Sequence, residues 1–164
     1  MTFDEMAATG TIDVSADPVQ VYELIANVVR VGEFSPECIT AEWAGDLAEP
    51  KVGEKFNGTN KIGDFEWTTT SEITAADPGA RFAWTVDGGA DDGPAAYWSY
   101  DLEPIEGGTR VTESFQIGAS KGGFRRFGKN KTDEENAAMA ASRVEQLTAS
   151  IATTLANLKA VAES

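Results

Sequence analysis

At 164 residues, 41% hydrophobic and 24% charged, the chain has the makeup of a soluble globular protein able to bury a real core. Its net charge of −14 argues against nucleic acid and anionic membrane surfaces, which are bound through Lys and Arg. It has no histidine, the commonest general base and zinc ligand, and one cysteine, Cys38, so no internal disulfide can form.

No run approaches the roughly 20 apolar residues that a membrane-spanning helix needs, so no stable membrane insertion is expected. Met1 to Gly10 carries Asp4 and Glu5 and lacks the basic start and apolar run of a secretory signal. With the lone cysteine, this predicts a cytoplasmic protein. Phosphate-loop, dinucleotide and zinc patterns are absent, and neither a cofactor nor a metal is expected.

Taken in chain order, Thr9 to Ser15 alternates with Ile12 and Val14 on one face, and reads as a first strand. Asp17-Pro18 then opens a helix: Asp17 caps, Pro18 suits the first helical position, and Gln20 completes a capping-box spacing. Val21, Leu24, Ile25 and Val28 give it one apolar face, and Gly32, Ser35 and Pro36 keep it short or bent. Strands are predicted near 38–45, 54–62, 64–76, 80–87, 95–103 and 109–117. Tight turns at Lys61-Ile62-Gly63-Asp64, Asp77-Pro78-Gly79 and Glu106-Gly107-Gly108 force consecutive strands to run antiparallel. The last segment, about 132–162, is one long helix. Thr132 and Glu135 form a capping box, and Ala140, Val144, Leu147, Ile151, Leu155, Leu158 and Ala162 form a continuous apolar stripe.

This order predicts an α+β helix-grip fold in one domain over residues 1–164. About seven antiparallel strands curve around the long C-terminal helix, with short helices after strand 1. An apolar sheet face must be covered. One helix lying across a strongly curved sheet cannot fill it, so a cavity lined by aromatics is expected. Strand phase turns Trp67, Thr69, Ser71 and Ile73 to one face, as it does Phe82, Trp84 and Val86. Trp98, Tyr100 and Leu102 share a face, as do Val111, Glu113, Phe115 and Ile117. Any one tryptophan on such a face is more readily explained as core packing than as ligand contact.

The run Ile12-Asp13-Val14-Ser15-Ala16-Asp17-Pro18-Val19-Gln20-Val21-Tyr22 resembles the opening of the SRPBCC superfamily. Phe65 to Thr69, Asp77 to Trp84 and Leu102 to Glu113 extend the likeness over nearly the whole chain. That superfamily includes START-type lipid carriers, pollen-allergen-like proteins and bacterial polyketide cyclase/dehydrase-like proteins, to which the similarity is closest. The resemblance implies a helix-grip fold that holds a hydrophobic molecule. These motifs are strand starts and turns, so they specify fold and not activity.

Glu113 is the candidate catalytic residue, because its strand phase sets a carboxylate among Val111 and Phe115, where burial raises its pKa. A rim carboxylate paired with an arginine, or a strand bulge that turns it outward, is the alternative. Asn60, in phase with Phe56 and Gly58, joins Thr69 and Tyr100 as polar groups that would orient a guest. Trp67, Trp84, Trp98 and Phe115 supply the apolar wall, with Val144 and Leu147 from the helix stripe. Gly118 to Lys131 holds Lys121, Arg125, Arg126, Lys129 and Lys131, five of the 13 cations. It reads either as an anion-capturing mouth using Arg125, with Phe124 and Phe127 as a lid, or as a flexible loop. Cys38 has no histidine to activate it.

The expected partner is therefore a small hydrophobic ligand, lipid-like or an aromatic polyketide, held by a carrier or sensor. The alternative is a cyclase/dehydrase-type enzyme that folds and dehydrates a bound chain by acid/base catalysis. An interaction module is a third class, with no apolar surface stripe to support it. Monomer and homodimer both remain open.

Overall fold

The protein's structure, a computed structural model, describes residues 1–46 and 49–164. Seven strands form one antiparallel sheet: β1 (Ala7–Val14), β2 (Cys38–Trp43), β3 (Lys55–Ile62), β4 (Phe65–Asp77), β5 (Arg81–Asp87), β6 (Pro94–Ile105) and β7 (Gly108–Ile117). Their spatial order is β1-β7-β6-β5-β4-β3-β2. All but β1 neighbour the next strand in sequence, as short turns require. The β6–β7 turn needs a residue at positive φ, and Gly107 supplies it at +80°. Bulges between Ile73 and Ala75 in β4 and between Cys38 and Thr40 in β2 accentuate the bend of the sheet.

Helix α1 (Pro18–Ala26) starts as the sequence predicts, with the Asp17 carboxylate accepting from the Val19 N–H at 2.9 Å. A 3₁₀ turn, Val28–Glu33, follows. Helix α2 (Asp133–Ala162) is capped by Thr132, whose Oγ1 accepts from the Glu135 N–H at 3.1 Å. The interior register aligns Gly10, Glu113, Tyr100 and Phe82 in one row across β1, β7, β6 and β5. Ala8, Phe115, Trp98 and Trp84 form the next row.

Helix α2 lies along β1 rather than across the middle of the sheet. Gly10 makes this possible: a Cβ there would sit 2.8 Å from Ile151 Cγ2 and 3.2 Å from Leu155 Cδ1. The predicted stripe of Ala140, Leu147, Ile151, Leu155 and Leu158 is buried in this seam. Polar ties hold the helix at this edge. Lys159 Nζ donates to the Asp13 carbonyl at 2.9 Å, and Asn157 Nδ2 donates to the Phe34 carbonyl at 3.1 Å.

Candidate ligand-binding site

Because α2 hugs β1, the hollow of the sheet stays open as a cavity of about 600 Å³. That lies within the usual range for small-molecule sites. Strands β3 to β7 supply most of its wall, α1 and the 28–33 turn its far side, and α2 one flank. Trp84 is the hub of the aromatic wall. It stacks on Trp98 at 6.1 Å with the planes 6° apart, and it meets Phe56, Phe82 and Tyr100 at 6.1, 5.6 and 5.9 Å. Phe115 continues the ladder beside Trp98 at 5.1 Å. Trp67, Trp84 and Trp98 are only half-buried, since each faces the cavity.

The rim is aromatic too. Phe65 at the tip of the β3–β4 hairpin stacks on Trp67 and meets Phe127 edge-on at 6.4 Å. Phe127 belongs to another 3₁₀ turn, Gly123–Gly128, and packs against Phe124. Phe65 is 53% and Phe127 41% exposed, so the opening lies between the hairpin tip and this turn. The segment leading into this turn is tied to the β5–β6 loop, where Asp92 accepts from Ser120 Oγ at 2.7 Å and from the Lys121 N–H at 2.8 Å.

Glu113 lies on the interior face, 5% exposed, opposite Tyr100 in the β6–β7 register. No cation faces it. Burial pushes its carboxyl up to about 8, the nearby Tyr100 hydroxyl opposing the rise. It is therefore mostly a neutral acid at pH 7, and its Oε2 is sealed and without a hydrogen-bond partner. Burial first, then the Glu113 charge, holds the Tyr100 hydroxyl well above its usual range. Asn60 Nδ2 donates to Thr69 Oγ1 at 3.2 Å, so these two lumen groups partly satisfy one another. Cys38 is pushed up to about 11 by burial, with Glu37 adding to it, and stays a thiol.

Of the residues expected at the site, Asn60, Trp67, Thr69, Trp84, Trp98, Tyr100, Glu113, Phe115 and Phe127 all line this cavity, and Arg125, Val144 and Leu147 do not. Arg125 turns away: its Nε donates to the Gly118 carbonyl at 2.8 Å and its Nη2 to Asp4 at 2.7 Å. Its neighbour Arg126 lines the cavity instead, with its guanidinium 4.8 Å above the Phe127 ring. Val144 and Leu147 belong to the stripe that packs into the core, Leu147 being 2% exposed. The face of α2 that lines the cavity is the adjacent row, Arg143, Gln146, Ser150 and Thr154, with Ile151 at the boundary. Each polar member precedes a stripe residue by one position, a rotation of about 100° around the helix.

The sequence reading missed Arg143 and Glu37. Arg143 Nη2 and Nη1 donate to the Glu37 carboxylate at 2.6 and 3.0 Å, and both side chains are about 85% buried, with 16% and 15% exposure. The repeat of Arg143, Gln146, Ser150 and Thr154 beside the apolar stripe was the available signal. Among the described residues, no group of acidic, cysteine or histidine side chains is arranged to hold a metal ion, and no helix is long and apolar enough to cross a membrane.

The family described as "Polyketide cyclase / dehydrase and lipid transport" matches residues 6–163. No curated protein matches the chain. Among solved structures, the Polyketide_cyc-like protein Cgl2372 from Corynebacterium glutamicum is 30% identical, with a TM-score of 0.66 over 95% of this chain and 91% of that one. The di-domain ARO/CYC StfQ from the steffimycin biosynthetic pathway is 17% identical, with a TM-score of 0.69 over 96% of this chain and 50% of its own. Protein NE0264 from Nitrosomonas europaea is 13% identical, with a TM-score of 0.64 over 94% and 92% of the two chains. The last two share the fold. With the helix-grip architecture and a match that spans nearly every residue, the chain belongs to the polyketide cyclase/dehydrase and lipid-transport family.

Proposed function

We propose that the protein binds one small, largely apolar molecule, lipid-like or aromatic, in the cavity between sheet and helix, as a carrier or sensor. One observation carries this reading. The stacked Trp84–Trp98 pair and its aromatic neighbours pack side by side along the sheet and leave one side of the ladder facing a cavity of about 600 Å³. Large apolar side chains left half-exposed inside a fold are stabilised by a guest that removes them from water. Glu113 lines the same cavity and sets a carboxyl group beside Tyr100 in its largely apolar wall.

The second reading is an enzyme of the cyclase/dehydrase kind, with Glu113 as the acid/base and Tyr100 beside it. It is favoured by a carboxyl pushed up to about 8, which can give or take a proton near neutral pH. The description of the family, polyketide cyclase / dehydrase and lipid transport, supports the same class of guest.

Native mass spectrometry of the purified protein, followed by solvent extraction, tests the binding reading. A co-purifying apolar adduct, or one-to-one uptake of the neutral fluorophore N-phenyl-1-naphthylamine, is the expected result. A protein that is empty and takes up no such probe contradicts it. Glu113→Gln separates the two readings: altered affinity alone marks a binder, whereas lost turnover with binding intact marks an enzyme.

A further inference from the structure

Arg143 presents only one of its two hydrogen-bonding forks to the protein. Nη1 and Nη2, the end fork, clasp Glu37, and Nη1 also donates to Gln146 Oε1 at 2.6 Å. The side fork, Nε with the remaining Nη2 hydrogen, has no partner among the described residues. In Arg30 and Arg110 that same Nε/Nη2 edge is the one that takes a carboxylate, from Glu33 and Asp13 respectively.

The free fork is also within reach of a guest. Arg143 lines the cavity, and its Nε is not among the sealed, unpartnered side-chain atoms, which are Glu113 Oε2 and Asn136 Oδ1. Setting a guanidinium in the wall of a mostly apolar cavity is expensive. Two parallel N–H groups match the spacing of a planar carboxylate. Arg126 adds a second cation to the lining and has no ion-pair partner among the described residues.

We propose that the guest is an amphipathic organic anion, a flat apolar body bearing a carboxylate head, and that the head docks on the Nε/Nη2 edge of Arg143. The body extends past Ser150 and Thr154 toward the tryptophan wall. Arg143 to Thr154 spans about 16 Å of helix, room for two or three fused rings. Glu37 is a positioning residue, holding the guanidinium so that its side edge stays open. This rests on the reading that the cavity binds a ligand, and it adds the ligand's charge.

Anthracene-2-carboxylate and anthracene-2-carboxamide have nearly the same shape and differ in charge, so their fluorescence titrations at pH 7 isolate the head group. The wild type should bind the acid at least tenfold tighter than the amide. Arg143→Gln should erase that preference by lowering acid affinity to the level of the amide, and Glu37→Gln, which keeps an acceptor on the end fork while removing the opposing charge, should widen it. Equal affinities in the wild type, a preference that survives in Arg143→Gln, or a preference untouched by Glu37→Gln would each overturn the assignment while leaving the cavity a binding site. Failure of the wild type to bind either compound overturns both readings. Should Arg143→Gln not fold, the wild-type ratio and its change in Glu37→Gln decide the matter.

Discussion

Replacing Glu113 with Gln makes the protein's stability less dependent on pH, in a window where little else titrates. A carboxyl moved from its ordinary 4.5 to about 8 by burial favours the folded state only while it is protonated. The folded chain keeps this proton between those two values and the unfolded chain does not. The contribution is therefore complete below pH 4.5 and lost as pH rises to about 8. At about 1.4 kcal/mol per pH unit the whole span amounts to about 5 kcal/mol. Such a term is a large fraction of the 5–15 kcal/mol typical of a domain's stability. Because the chain has no histidine, no other side chain of ordinary pKa changes charge between pH 5.5 and 7.5. Urea unfolding across those two units should show wild-type stability falling by about 2–3 kcal/mol. Glu113→Gln, neutral and of the same shape, should stay nearly level and be the more stable protein at pH 7.5. Parallel curves for the two proteins would refute the placement of a neutral acid in the cavity wall.

Three further substitutions probe the frame. Gly10→Val drives a side chain into Ile151 and Leu155 and should cost about 1–3 kcal/mol, or displace α2, as read by thermal melting. Phe82→Ala removes a ring that is 2% exposed and should cost about 3–5 kcal/mol in urea unfolding. Thr132→Ala strips the cap from α2 and should cost about 1 kcal/mol, with stability restored by Asp or Ser at that position.

The fold was legible in the sequence because its signals are local. The Asp17-Pro18 and Thr132–Glu135 caps, the glycine turns and the period-two strands each report on a few neighbouring residues. Strand bounds differ from expectation by no more than two residues at any end, with β1 running Ala7–Val14 rather than from Thr9. Trp43, which carried no pocket expectation, packs edge-on against Phe56 at 6.3 Å.

What could not be read was the rotation of α2. The spacing alone turns the apolar stripe to the hollow, but Gly10 lets it sink onto β1, and a row one residue earlier turns to the lumen. That depends on a contact between residues 141 positions apart, which no local pattern records. The same distance effect separates Arg125 from Arg126, since only the meeting with Asp4 shows which arginine turns outward.

Both proposed roles require the space beneath Trp84 to be a binding cavity. Thr69 faces it half-buried, so Thr69→Trp should fill the lumen without disturbing the sheet's register. Titrating N-phenyl-1-naphthylamine into wild type and this variant tests the point directly. Saturable one-to-one binding by the wild type, lost in a variant that still melts cooperatively, is the result expected. Undiminished binding in the filled variant would place the ligand elsewhere, and no binding by the wild type would remove the site altogether.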